Sequence, residues 1–145
     1  VTIQQLGNSN KVDAACGYGN ASDGSTALSG CKAADLNWKF TGDSNELQFR
    51  GTGDDLKSAV TVSGNLNKFY IDAIGDKHTQ TLEVTGNSNE FNINQRSTGS
   101  TGSSVEIHQT GDSSKFTVSQ TGTINNLLYI KSVSNSGTFN ITQKN

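Results

Sequence analysis

An all-β fold is predicted: a β-solenoid of about six strand–turn–strand rungs, with a Cys-closed insertion after the first rung. Three observations carry this expectation. A turn motif recurs about every 22 residues, apolar side chains fall into unbroken columns when the copies are aligned, and residues around those columns alternate with period 2.

The repeat is anchored on the turn residue of each copy: Gly7, Gly42, Gly64, Gly86, Gly111 and, in the last copy, Ser134. The separations are 35, 22, 22, 25 and 23 residues. The excess in the first interval falls where Cys16 and Cys31 lie, so one unit recurs with an insertion at residues 15–35. A smaller insertion falls near Ser97–Ser103. The whole chain, 1–145, reads as one domain.

Four residues before the anchor stand Ile3, Trp38, Val60, Leu82, Ile107 and Ile130. Five after it stand Val12, Leu47, Phe69, Phe91, Phe116 and Phe139, and seven after it Ala14, Phe49, Ile71, Ile93, Val118 and Ile141. No polar residue interrupts these columns. Segments such as Glu90-Phe91-Asn92-Ile93-Asn94-Gln95 alternate polar and apolar, as a strand with one buried face does.

The turns read Gly-Asn-Ser-Asn at 7–10 and 86–89, Gly-Asp-Ser-Asn at 42–45, Gly-Asn-Leu-Asn at 64–67 and Gly-Asp-Ser-Ser at 111–114. Gly and Asn tolerate left-handed backbone angles, and Asn, Asp and Ser bond to nearby backbone. An antiparallel hairpin is the alternative for such a turn. The constant inward register of successive copies favours stacking of like on like. One unit offers about four apolar side chains against the ordering of some 22 residues, so neighbours above and below must complete it.

Composition agrees with a thin, repeated core. Only 31% of residues are hydrophobic, Pro and Met are absent and Gly numbers 16. A net charge of −2 without a basic run argues against nucleic-acid binding, and no stretch reaches the ~18 apolar residues of a membrane span. No cofactor motif, zinc spacing or calcium loop is present, and no catalytic constellation appears. His78 and His108 fall in different copies, with His108 outward beside Gln109, and Asp54-Asp55 reads as a turn. The expectation is therefore a protein that is not an enzyme.

Cys16 and Cys31 are one pair in a chain that begins Val-Thr-Ile, which reads as a processed, secreted protein in an oxidising compartment. Two free thiols are the alternative. A bridge closing about 15 residues contributes roughly 3 kcal/mol in the chain-entropy description. The loop is a stapled insertion or, alternatively, a lateral contact.

The segment Gln5-Leu6-Gly7-Asn8-Ser9-Asn10 resembles the curlin repeat, Gln-x-Gly-x-x-Asn followed by a second strand ending in Gln. The resemblance runs through all six copies outside the insertion. Its best copy is Val105-Glu-Ile107-His-Gln109-Thr-Gly111 followed by Phe116-Thr-Val118-Ser-Gln120. The first Gln is present as Gln5 and Gln109, the closing Gln as Gln95, Gln120 and Gln143, and the Asn as Asn10, Asn45, Asn67 and Asn89. Departures are Phe40, Val62, Val84 and Ser132 at the first Gln, Gly51 and Ala73 at the last, and Ser114 at the Asn. The Cys-closed insertion and the Phe column also depart, so the likeness is to a distant relative. It implies a subunit of curli, the functional amyloid of bacterial biofilms, exported and nucleated at the cell surface by dedicated machinery.

The residues suit such a fibre. A stack of rungs has two edges of unpaired backbone groups, and this sequence has no Pro to blunt them. Strand patterns occupy both the first and the last residues, so docking the first rung of one copy on the last of another continues every column. Such head-to-tail contact propagates. Stacked Phe side chains and Asn/Gln ladders support it, although the Gln positions also read as solvated polar faces. Lys11, Glu46, Lys68, Glu90 and Lys115 alternate in sign from copy to copy. The rival readings are a monomeric secreted binding module or adhesin for carbohydrate, ice or a cell surface, and a phage or pilus-like appendage subunit. Thr41, Thr61, Thr85 and Thr117 look too scattered for the flat Thr rows of an ice-binding face.

Overall fold

The computed structural model describes residues 1–7, 9, 11–16, 34–75, 77–97, 102–122, 126–133 and 136–144. Among them the chain is all β. The strands are β1 (Thr2–Leu6), β2 (Lys11–Cys16), β3 (Asp35–Thr41), β4 (Glu46–Thr52), β5 (Lys57–Ser63) and β6 (Lys68–Ile74). They continue with β7 (Thr79–Thr85), β8 (Glu90–Arg96), β9 (Ser104–Thr110), β10 (Lys115–Thr121), β11 (Leu127–Val133) and β12 (Thr138–Lys144).

Odd-numbered strands form one parallel sheet in the order β1-β3-β5-β7-β9-β11, and even-numbered strands form the other, β12-β10-β8-β6-β4-β2. The chain thus crosses from one sheet to the other at every arc and returns one layer higher, which is a β-solenoid. Parallel pairing throughout excludes the hairpin alternative, since a hairpin would pair each strand with its sequence neighbour in the antiparallel sense. The apolar columns lie between the sheets. Leu47, Phe49, Phe91, Ile93, Phe116 and Val118 are all buried, as are Trp38, Val60, Leu82 and Ile107.

Two features differ from the sequence reading. About six rungs were expected, but the solenoid has about four enclosed turns. These, β3/β4 to β9/β10, lie between two neighbours and hold the buried core, whereas the layers β1/β2 and β11/β12 have one neighbour each. The expected insertion 15–35 is also shorter at both ends. Ala15 and Cys16 pair with Arg50 and Gly51, and Asp35 pairs with Lys57, so those residues belong to strands. Residues 17–33, including Cys31 and the disulfide expected there, lie outside the described residues.

The unit also divides in half. Gly42, Gly53, Gly64, Gly75 and Gly86 recur every 11 residues, and all five have positive φ. From β3 onward every strand has seven residues, whereas β1 has five and β2 six. The glycines are required because arcs stack backbone on backbone: a Cβ on Gly64 would sit 2.1 Å from the carbonyl oxygen of Gly42. The arcs continue the ladder, with Gly64 N–H donating to Thr85 O at 3.0 Å and Leu66 N–H to Asn87 O at 3.1 Å.

The second left-handed residue in an arc is its third, not the Asn. Ser44, Leu66, Ser88 and Ser113 have φ between 55° and 57°. The Asn that follows is freed to turn inward. Asn45, Asn67 and Asn89 are buried, and Asn10 lies outside the described residues.

Candidate assembly surface

Register places the expected columns directly over one another. Ile3, Trp38, Val60, Leu82, Ile107 and Ile130 pair in succession along the first sheet. Val12, Leu47, Phe69, Phe91, Phe116 and Phe139 do so along the second, as do Ala14, Phe49, Ile71, Ile93, Val118 and Ile141. From Phe69 onward the rings stack face to face: Phe69 on Phe91 at 4.8 Å and 9°, Phe91 on Phe116 at 4.9 Å and 6°, Phe116 on Phe139 at 5.1 Å and 4°. The inter-strand spacing of about 4.8 Å imposes that distance.

Polar side chains inside the stack form ladders too. Asn67 Oδ1 accepts from the backbone N–H of Asn45 at 2.9 Å, and Asn89 Oδ1 accepts from both the N–H and Nδ2 of Asn67. Gln143 Nε2 donates to Gln120 Oε1 at 2.8 Å, and Gln120 Nε2 to Gln95 Oε1 at 2.9 Å. Gln95, Gln109 and Gln120 are buried, which favours the ladder over the alternative of solvated polar faces. Ser132 Oγ donates to Gln109 Oε1, continuing the column that begins at Gln5.

The missing closing glutamines have a steric cause. A Cβ on Gly51 would lie 2.7 Å from Leu56 Cδ1, because the arc residue Leu56 fills the space a glutamine would take. The next layer repeats the exchange with Ala73 and a buried His78, whereas Gln95 and Gln120 sit beside arcs that carry Ser103 and Asn126. Sequence reading set His78 in a different copy from His108 without placing it in an arc; the 11-residue spacing of Gly75 was the signal that puts it there.

On the outer face of the second sheet, Lys11, Glu46, Lys68, Glu90 and Lys115 form one row. Lys11 reaches Glu46 at 3.2 Å and Lys115 reaches Glu90 at 3.1 Å. On the other face, Thr41, Ser63, Thr85 and Thr110 align in a row. Thr61 stands in the neighbouring row with Lys39, Glu83 and His108, and Thr117 lies on the opposite sheet, so Thr41, Thr61, Thr85 and Thr117 do not form one flat row.

Among the described residues no group of three or more His, Cys, Asp or Glu side chains is placed to hold a metal ion. His108 lies outward, with Nε2 2.8 Å from Glu106 Oε1 and its ring 5.8 Å from that of Tyr129, while His78 is in a buried arc. A surface groove of about 420 Å³ runs past Glu46, Gln48, Lys68, Tyr70, Glu90 and Asn92.

The distinctive surfaces are the two ends. Among the described residues, β1 and β2 pair only with β3 and β4, and β11 and β12 only with β9 and β10. Among the described residues, seven large apolar side chains are exposed, and six of them are in these end layers: Val1, Leu6, Leu127, Tyr129, Val133 and Ile141; Leu66 is the seventh. Ile3, Val12, Ala14, Cys16, Leu128, Ile130 and Phe139 are only partly covered, although their column mates inside are buried. Each end therefore combines a sheet edge with an open slice of core. No protein-family model matches the chain, and neither a curated protein nor a solved structure matches it.

Proposed function

We propose that the chain is a structural subunit of an extracellular, curli-like fibre that grows by stacking the β1/β2 layer of one copy on the β11/β12 layer of another. The observation that carries this reading is the open slice of core at each end, Ile3, Val12 and Ala14 at one and Ile130, Phe139 and Ile141 at the other, in columns that repeat the core in unbroken register. A second copy supplies what each end needs. Ile3 would cover Ile130, Val12 would cover Phe139 and Ala14 would cover Ile141, while the sheet edges complete each other's hydrogen bonds. The resemblance to the curlin repeat supports the same function: secreted, self-associating, adhesive matrix material, with no catalytic role.

A Cys16–Cys31 bridge closing the insertion belongs to this reading of an oxidising environment.

The test is growth of filaments from purified protein across a concentration series, followed by negative-stain microscopy. Filaments above a threshold concentration are expected. A monodisperse monomer that persists for days favours the binding-module alternative and removes the fibre reading.

A further inference from the structure

One row on the outer face of the first sheet runs Leu6, Thr41, Ser63, Thr85, Thr110, Val133. Its four interior members carry hydroxyl groups, as suits a solvated face. Its two end members are apolar, and they are 67% and 63% exposed. An apolar side chain thus replaces a hydroxyl only where the row has a neighbour on one side.

We propose that Leu6 of one copy packs on Val133 of the next, and that this contact, outside the core, holds the junction in the same zero-offset register as the interior layers. The inference rests on the fibre reading and specifies its junction. With no offset, Val1 meets Leu128, Ile3 meets Ile130 and Leu6 meets Val133, so apolar groups face apolar groups both inside and outside the sheet. A shift of two residues one way sets Gln5 on Ile130 and Leu6 on Lys131. The opposite shift sets Ile3 on Ser132 and carries Leu6 beyond the end of β11. A shift of one turns every side chain to the wrong face. The core pairs alone distinguish these registers by one or two contacts; Leu6 and Val133 add a contact that only one register makes.

The experiment measures the critical concentration for filament growth by sedimentation, for the unaltered chain and for Leu6→Thr, Val133→Thr and Leu66→Ser. The threonines restore the residue type of the interior row. Leu66 is also exposed but lies in an arc between interior layers. Each threonine variant should raise the critical concentration roughly three- to tenfold, and Leu66→Ser should leave it unchanged. Equal values for the unaltered chain and both threonine variants overturn the proposal, as does an equal rise for Leu66→Ser.

Register is read by cross-linking. Parallel neighbours about 4.8 Å apart fall within disulfide reach. Filaments of the Leu6→Cys, Val133→Cys double variant should give a ladder of oligomers on a non-reducing gel after oxidation. The Gln4→Cys, Val133→Cys pair should not. A ladder from the Gln4 pair instead overturns the register while leaving the fibre reading intact. Failure of the unaltered chain to form filaments removes both.

Discussion

Gln120 donates from Nε2 to Gln95 Oε1 at 2.9 Å, with both side chains sealed inside the stack. The same nitrogen lies 3.0 Å from the carbonyl oxygen of Leu127, and Gln120 Oε1 accepts from Gln143 at 2.8 Å. A primary amide has donors and acceptors on one planar group, so repetition at the strand spacing lets each glutamine serve the layers on both sides. Gln120→Leu would keep the volume and remove these bonds, leaving Gln95 Oε1 buried without its donor. The expected cost is about 1–3 kcal/mol, measured by chemical denaturation.

The exchange between Gly51 and Leu56 predicts a coupled pair. Gly51→Gln alone overfills the core at Leu56 and should destabilise by about 1–3 kcal/mol. Adding Leu56→Ser, which reproduces the Gln95/Ser103 arrangement, should recover part of that loss. The check is a double-mutant cycle; strict additivity would show that the two positions do not share space.

Leu66 holds φ near 55° with its side chain exposed, a costly combination for a branched apolar residue. Leu66→Asn should raise stability by up to about 1 kcal/mol. Gly86→Ala should do the reverse, because its Cβ would fall 2.0 Å from the carbonyl oxygen of Gly64. Thermal melts of the two variants should move in opposite directions.

Lys68 sits in the row between Glu46 and Glu90. Lys68→Glu creates three successive carboxylates along the axis. A loss of about 0.2–1 kcal/mol per like-charged contact is expected, together with slower assembly at low salt. Raising the ionic strength should relieve both effects; an effect independent of salt would mean that charge order does not select register.

Much of this architecture was legible in the sequence because a solenoid converts a linear spacing directly into a spatial column. Phe91 over Phe116 follows from counting residues once the turn is used as the anchor. The second arc was harder to see. Its glycines, Gly53 and Gly75, sit beside Leu56 and His78 rather than Asn, and insertions displace it after Ser97 and Gly122. The burial of Gln95 and Gln120 was obscured for a related reason: a polar residue at an inward position reads as solvated until the partner one layer away is identified. The Thr41–Thr110 row was hidden because its members lie in different copies, separated by intervals that the Ser97–Ser103 insertion lengthens. The difference between enclosed and end layers left no mark in the columns themselves; Leu6 and Val133, apolar in a hydroxyl row, are its trace.

Electron cryomicroscopy of filaments grown from the purified chain addresses the stacking of equivalent residues most directly. Six layers at about 4.8 Å predict a strand repeat of that size along the axis and a subunit rise of about 29 Å, with Ile3 of one copy over Ile130 of the next. Filaments whose strands run along the axis, or a subunit rise unrelated to that height, would contradict it.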